Sequence, residues 1–217
     1  MSSEIWLYGS SARGDTDAVS DVDLLVAGVP DSSALEELPY PPARVSIVQY
    51  DWDELELMAS YGSLFLHHVR LEGRPLFVVG NPRLSTLLKT LPPYERATRE
   101  LASFDTVLDD VQRSLAADHS PTFELSVIAT ALRHSCILGC YAIGQPTFGR
   151  HAPFDVFLSH VGYASLIDEV QKLYYFRLHE DARANVPFEA TSDDVRLWLA
   201  RAREIVDAVR RELDDGR

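Results

Sequence analysis

Gly9-Ser10 stands ten residues ahead of Asp21-Val22-Asp23, within the run IWLYGSSARGDTDAVSDVDLLV at residues 5–26. Side chains two apart on a strand share a face, so the two aspartates present their carboxylates together. Such a pair suits Mg2+, which takes one or two carboxylates plus substrate phosphates in preference to an all-protein cage. Paired ions can activate an attacking oxygen and stabilise a leaving pyrophosphate in an in-line displacement. Glycine lets the backbone come close to a phosphate. A helix starting near Ser10 would add free N–H groups, with the Ser10 hydroxyl as a further donor. Arg13, in the same loop, can clamp a phosphate oxygen. A Gly-Ser turn or an Asp-x-Asp pair alone is commonplace. The ordered set of strand, Gly-Ser, ten residues, Asp-x-Asp and strand is specific, and it suits a nucleoside triphosphate with its metal ions.

These residues need a sheet to position them. The apolar runs Glu4 to Tyr8, Val22 to Ala27, Arg44 to Tyr50 and Pro75 to Val79 read as strands. Asp31 to Leu38 reads as a short helix stopped by Pro39-Tyr40-Pro41-Pro42. Asp51 and Glu54 form a capping box for a helix running to about Arg70. Asn81-Pro82 opens another, with a cap residue ahead of proline. Leu91-Pro92-Pro93 marks a break, beyond which helical periodicity dominates: Tyr94 to Ala117, Glu124 to Ile143, Tyr163 to Glu180 and Ser192 to Leu213, with a shorter piece at Asp155 to Val161. The fold class expected is α+β, with a mixed-sheet domain over residues 1–91 and an antiparallel helical bundle over 92–217.

Composition narrows the function. The chain has 217 residues, 46% of them hydrophobic, so it can build a real core, and its formal net charge is −13. That charge disfavours nucleic acid and anionic membrane surfaces as partners. No apolar run approaches about 20 residues, so no membrane span is expected. The opening MSSEIWLYGS carries no leader pattern, and a cytoplasmic location is expected. Cys136 and Cys140, four apart in an apolar stretch, read as buried small hydrophobes on one helix face. His67 and His68 read as one core-facing and one solvent-facing residue of the helix before Leu71-Glu72-Gly73-Arg74.

Residues 5–26 resemble the signature of the polymerase-beta-like nucleotidyltransferase superfamily, in particular its small prokaryotic members. The similarity continues through Asp51 to Phe77, including Gly62-Ser63 and Leu71-Glu72-Gly73-Arg74-Pro75-Leu76-Phe77, and so covers about residues 4–80. The segment after Pro93 resembles, more weakly, the helical second domains of antibiotic nucleotidyltransferases and of HEPN-type partners. The resemblance implies that Gly9 and Ser10 bind triphosphate and that Asp21 and Asp23 bind metal. Many members carry a third acid inside the third strand, where this chain has Ser46, in Val45-Ser46-Ile47-Val48. Three options stay open: Asp51 or Asp53 substitutes, a helical-domain carboxylate such as Glu124 serves, or activity is weak or lost.

The function expected is Mg2+-dependent transfer of a nucleoside monophosphate from an NTP to an acceptor hydroxyl on a small, cationic molecule or a protein. Asp21, Asp23 and Asp51 are the catalytic candidates. Gly9, Ser10 and Arg13 are the triphosphate ligands, and Asp21 and Asp23 the metal ligands, in a cleft between the domains. A homodimer is compatible with this scheme. The alternative is a catalytically weakened, antitoxin-like binding or regulatory module.

Overall fold

The computed structural model describes residues 2–29, 39–40, 45–117 and 120–215. The helix expected at Asp31 to Leu38 lies outside the described residues. The chain divides into two compact units, Met1–Glu95 and Arg96–Arg217.

The first unit is built on a four-stranded mixed sheet with strands β1 (Ser3–Tyr8), β2 (Val22–Ala27), β3 (Val45–Tyr50) and β4 (Arg74–Val79), in the order β3-β2-β1-β4. β1 runs antiparallel to both β2 and β4, whereas β2 and β3 are parallel. β1 is buried along its whole length. That burial on both faces is why it reads as a continuous apolar run. One face of the sheet buries Trp6, Tyr8, Leu25 and Ala27 against α2 (Trp52–Ser60), α3 (Leu64–Glu72) and α4 (Arg83–Lys89), through Leu55, Leu66, Val69, Leu84 and Leu88. The other face buries Ile5, Leu7, Leu24 and Val26 with Ala12, which belongs to the short helix α1 (Gly9–Arg13).

The capping box at Asp51 is formed in full. The Glu54 N–H donates to Asp51 Oδ1 at 2.8 Å, and the Asp51 N–H donates to Glu54 Oε2 at 2.9 Å. The helix it starts does not reach Arg70. It ends at Ser60, and α3 begins afresh at Leu64. Gly62 makes the break with a φ of +66°, and a Cβ there would lie 2.3 Å from the Pro92 carbonyl oxygen. The start of α4 also differs from expectation, because neither Asn81 nor Pro82 caps it with a side chain. The buried carboxylate of Glu4 does so instead. Its Oε1 accepts from the Leu84 N–H at 2.9 Å and its Oε2 from Trp6 Nε1 at 2.9 Å.

The second unit is helical: α5 (Ala97–Ser114), α6 (Pro121–Ala142), α7 (Ala152–His160), α8 (Ile167–Glu180) and α9 (Ser192–Asp215). α6 is its central element and packs on the other four. It begins at Pro121, with the Ser120 hydroxyl accepting from the Phe123 N–H. By length and composition α6 could cross a membrane, but 67% of its most apolar stretch is buried inside the unit, as in a core helix. Cys136 and Cys140 sit in this buried stretch as free thiols. Burial pushes the Cys140 thiol up to about 12.

Candidate active site

β1 delivers the chain to Gly9, where φ is +69°, and α1 begins at once. The first N–H groups of any helix lack intrahelical acceptors, so those of α1 start at this turn without partners in the helix itself. Tyr8 is the cross-strand partner of Asp23. A Cβ built on Gly9 would lie 2.5 Å from Asp23 Oδ2, so the Asp23 carboxylate rests directly over the Gly9 backbone. Only glycine leaves room for that approach, and only glycine adopts this φ without strain. Burial, then the Asp23 charge, then Tyr50 push the Tyr8 hydroxyl well above its ordinary pKa.

Asp21 lies two residues before Asp23, just ahead of β2, and both are half-buried. The Ser11 hydroxyl donates to the Asp21 carbonyl at 3.2 Å and ties α1 to the start of β2. α1 closes at Gly14, whose φ is 83°.

Arg13, the last residue of α1, is held between two carboxylates. Its Nε donates to Asp15 Oδ2 at 2.9 Å and its Nη1 to Glu72 Oε2 at 2.5 Å. Glu72 also accepts from His68 Nε2 at 2.8 Å. Burial pushes the Glu72 carboxyl up, but His68 and Arg13 more than offset it and leave it below its ordinary value. The His68 ring meets Tyr8 edge-on, with centroids 5.4 Å apart. Arg74 Nη2 donates to the Ala12 carbonyl.

Residues 2–61 match the family described as nucleotidyltransferase domain. The match supports assigning residues 2–61 to a nucleotidyltransferase domain of the polymerase-beta-like superfamily. Domains of this family use an NTP and Mg2+. No curated protein matches the chain.

Within the nucleotidyltransferase domain, the structure brings together Gly9, Ser10, Asp21 and Asp23, with Arg13 at the end of the same short helix. Ser46 pairs with Asp23 in the parallel register of β2 and β3. Its strand neighbours Val48 and Tyr50 pack on the helix-covered face, so Ser46 shares the face of Asp23. Asp51 is not brought to this place. It follows Tyr50, which pairs with Ala27 at the opposite end of the sheet. Five residue steps along the strand separate it from Ser46, about 17 Å at some 3.3 Å per residue. Its carboxylate caps α2, and Asp53 belongs to the first turn of that helix. Asp51, expected as a catalytic candidate, thus caps α2, and β3, running parallel to β2, carries it away from Asp23.

Glu124 is buried in the helical unit, where it accepts from the Ser114 hydroxyl. Arg133 Nη2 donates to the Phe148 carbonyl at 2.7 Å and anchors the loop before α7. His67 is buried and its Nε2 donates to the Pro92 carbonyl at 3.1 Å; burial and Arg70 lower its pKa. Among the described residues, no group of three or more His, Cys, Asp or Glu is placed to hold a metal ion by itself. The Asp23 carboxylate over the Gly9 turn, with Asp21 two residues before it, is a donor set of the kind that Mg2+ takes together with substrate phosphates.

From the sequence, His68, Glu72 and Arg74 are placed at the helix and Glu-Gly turn but not joined to the Gly-Ser loop, and Tyr8 is read only as a strand residue. The i,i+4 spacing of His68 and Glu72 on one helix was the available signal.

Proposed function

We propose that this protein transfers a nucleoside monophosphate from an NTP to an acceptor hydroxyl, with release of pyrophosphate. The observation that carries this reading is the placement of the Asp23 carboxylate over the Gly9 turn. One small region thus offers both a metal ligand and a phosphate cradle. Asp21 and Asp23 would hold Mg2+, and the α1 N–H groups, the Ser10 hydroxyl and Arg13 would take triphosphate oxygens. When bound by these two carboxylates, Mg2+ would supply charge neutralisation on the triphosphate and polarisation of the phosphoryl group. The acceptor oxygen forms a bond to the α-phosphorus and gives up its proton to water, the bond from that phosphorus to the bridging oxygen breaks, and pyrophosphate leaves. The chain's share of the work is alignment and charge placement, which dominate phosphoryl-type transfers.

The acidic chain suits a small cationic molecule or a protein hydroxyl as acceptor and disfavours nucleic acid. The cytoplasm supplies the NTP and Mg2+ that this reading requires. A second reading rests on Ser46. With serine beside Asp23, the strand supplies no third carboxylate to take the acceptor proton, which favours a binding or regulatory module that holds nucleotide without turning it over.

Calorimetric titration of each NTP into the wild type and into Asp21→Ala/Asp23→Ala, with and without Mg2+, tests what both readings share. The wild type should bind at least one NTP in a Mg2+-dependent manner, and the double variant should lose that dependence. Undiminished Mg2+-dependent binding in the double variant would sink the site assignment.

A further inference from the structure

The segment Leu71-Glu72-Gly73-Arg74 is joined to the Gly-Ser loop by more than sheet pairing. Both charged residues flanking Gly73 reach α1: Glu72 takes the Arg13 guanidinium, and Arg74 donates to the Ala12 carbonyl. The first contact spans 59 residues of sequence and the second 62. A five-residue helix cannot hold its own shape, because helix formation is cooperative and its nucleus is costly. α1 is fixed from outside, by Ser11 on Asp21, by Arg74 and by Glu72.

The two carboxylates on Arg13 differ in kind. The Asp15 side chain is 58% exposed and sits on the same loop, whereas the Glu72 side chain is 12% exposed and belongs to α3. An ion pair is screened less where it is more buried, so Glu72 is the firmer anchor. It is oriented in turn by His68, whose ring lies against Tyr8, the strand partner of Asp23. With Nε on Asp15 and Nη1 on Glu72, the planar guanidinium is fixed and Nη2 takes no partner among the described residues. That edge is available to a phosphate oxygen in a defined direction.

We propose that Glu72 is a positioning residue that holds Arg13 in the orientation required to bind the triphosphate, with His68 as the group that orients Glu72. The proposal rests on the reading of Arg13 as a triphosphate ligand. It assigns the Glu-Gly turn a role in nucleotide binding exerted through another residue.

A double-mutant cycle with two readouts tests it. ATP, GTP, CTP and UTP are titrated with excess Mg2+ into the wild type, E72Q, R13A and E72Q/R13A, with thermal melts to confirm folding. The Nη1–H resonance of Arg13, the group that donates to Glu72, is followed by low-temperature NMR in the wild type and E72Q. We expect E72Q to weaken NTP binding about tenfold, within the range of couplings between contacting charged residues. The double variant should bind no more weakly than R13A. The Arg13 Nη1–H signal should move in E72Q toward that of a free arginine. Additive losses in the cycle, or an unmoved Arg13 signal, would overturn the proposal while leaving the nucleotide site standing. Where R13A binds too weakly to titrate, the Arg13 signal alone decides. A wild type that binds none of the four NTPs would overturn the underlying function and this proposal with it.

Discussion

Among single residues, Gly9, Asp23 and Ser46 matter most. Gly9 and Asp23 fit each other so closely that residue 9 has no room for a side chain: the Asp23 carboxylate occupies the space it would need. Ser46, beside Asp23 on β3, is the place where a carboxylate would complete a triad of acids. Ser46→Asp therefore has a two-sided expectation. Without Mg2+ the variant melts at a lower temperature than the wild type, because like charges directly opposed on neighbouring strands repel. With Mg2+ the loss is recovered and pyrophosphate release rises by about tenfold or more, the low end of what a positioned general base contributes. Melting curves and a coupled pyrophosphate assay check both halves. A variant that turns over no faster than wild type would show that position 46 is not where the acceptor's proton is taken.

Among the strands and helices, the parallel pairing of β2 and β3 separates two acids that lie close to the third strand in sequence. Asp51 is at the wrong end, and its work is capping α2. Asp51→Ala should cost about 1 kcal/mol of stability, as loss of an N-cap does. Titration should show NTP affinity unchanged within about twofold, well inside the tenfold that 1.4 kcal/mol represents; a large loss of affinity would return Asp51 to the site. The four strands and the capping box were legible in the sequence because apolar runs and an Asp-x-x-Glu spacing are local signals. The break at Gly62 was less so, because it depends on the distant Pro92 carbonyl. Glu4 as the acceptor at the start of α4, and Glu72 as the partner of Arg13, were not legible at all. Both join residues that only the folded sheet brings together. The Gly9 to Asp23 constellation could be read in advance because its parts fall on two consecutive strands joined by one loop.

For the molecule as a whole, the site proposed for a triphosphate belongs to a chain with a net charge of −13. Such a chain repels a free triphosphate at long range, and only local cations and Mg2+ make binding favourable. Arg13 and Arg74 supply local positive charge at α1. The helical unit is a self-contained body around α6, which buries both cysteines and Glu124. Transfer of a nucleoside monophosphate by this nucleotidyltransferase domain is best checked by following the two ends of the triphosphate separately. The protein is incubated with Mg2+ and NTPs labelled at either the α- or the γ-phosphate, with a small-molecule extract and protein hydroxyls as acceptors. We predict that α-label appears in the acceptor and γ-label in pyrophosphate, with both signals abolished in Asp21→Ala/Asp23→Ala. Transfer of the γ-label to the acceptor, or no release of pyrophosphate under any of these conditions, would contradict it.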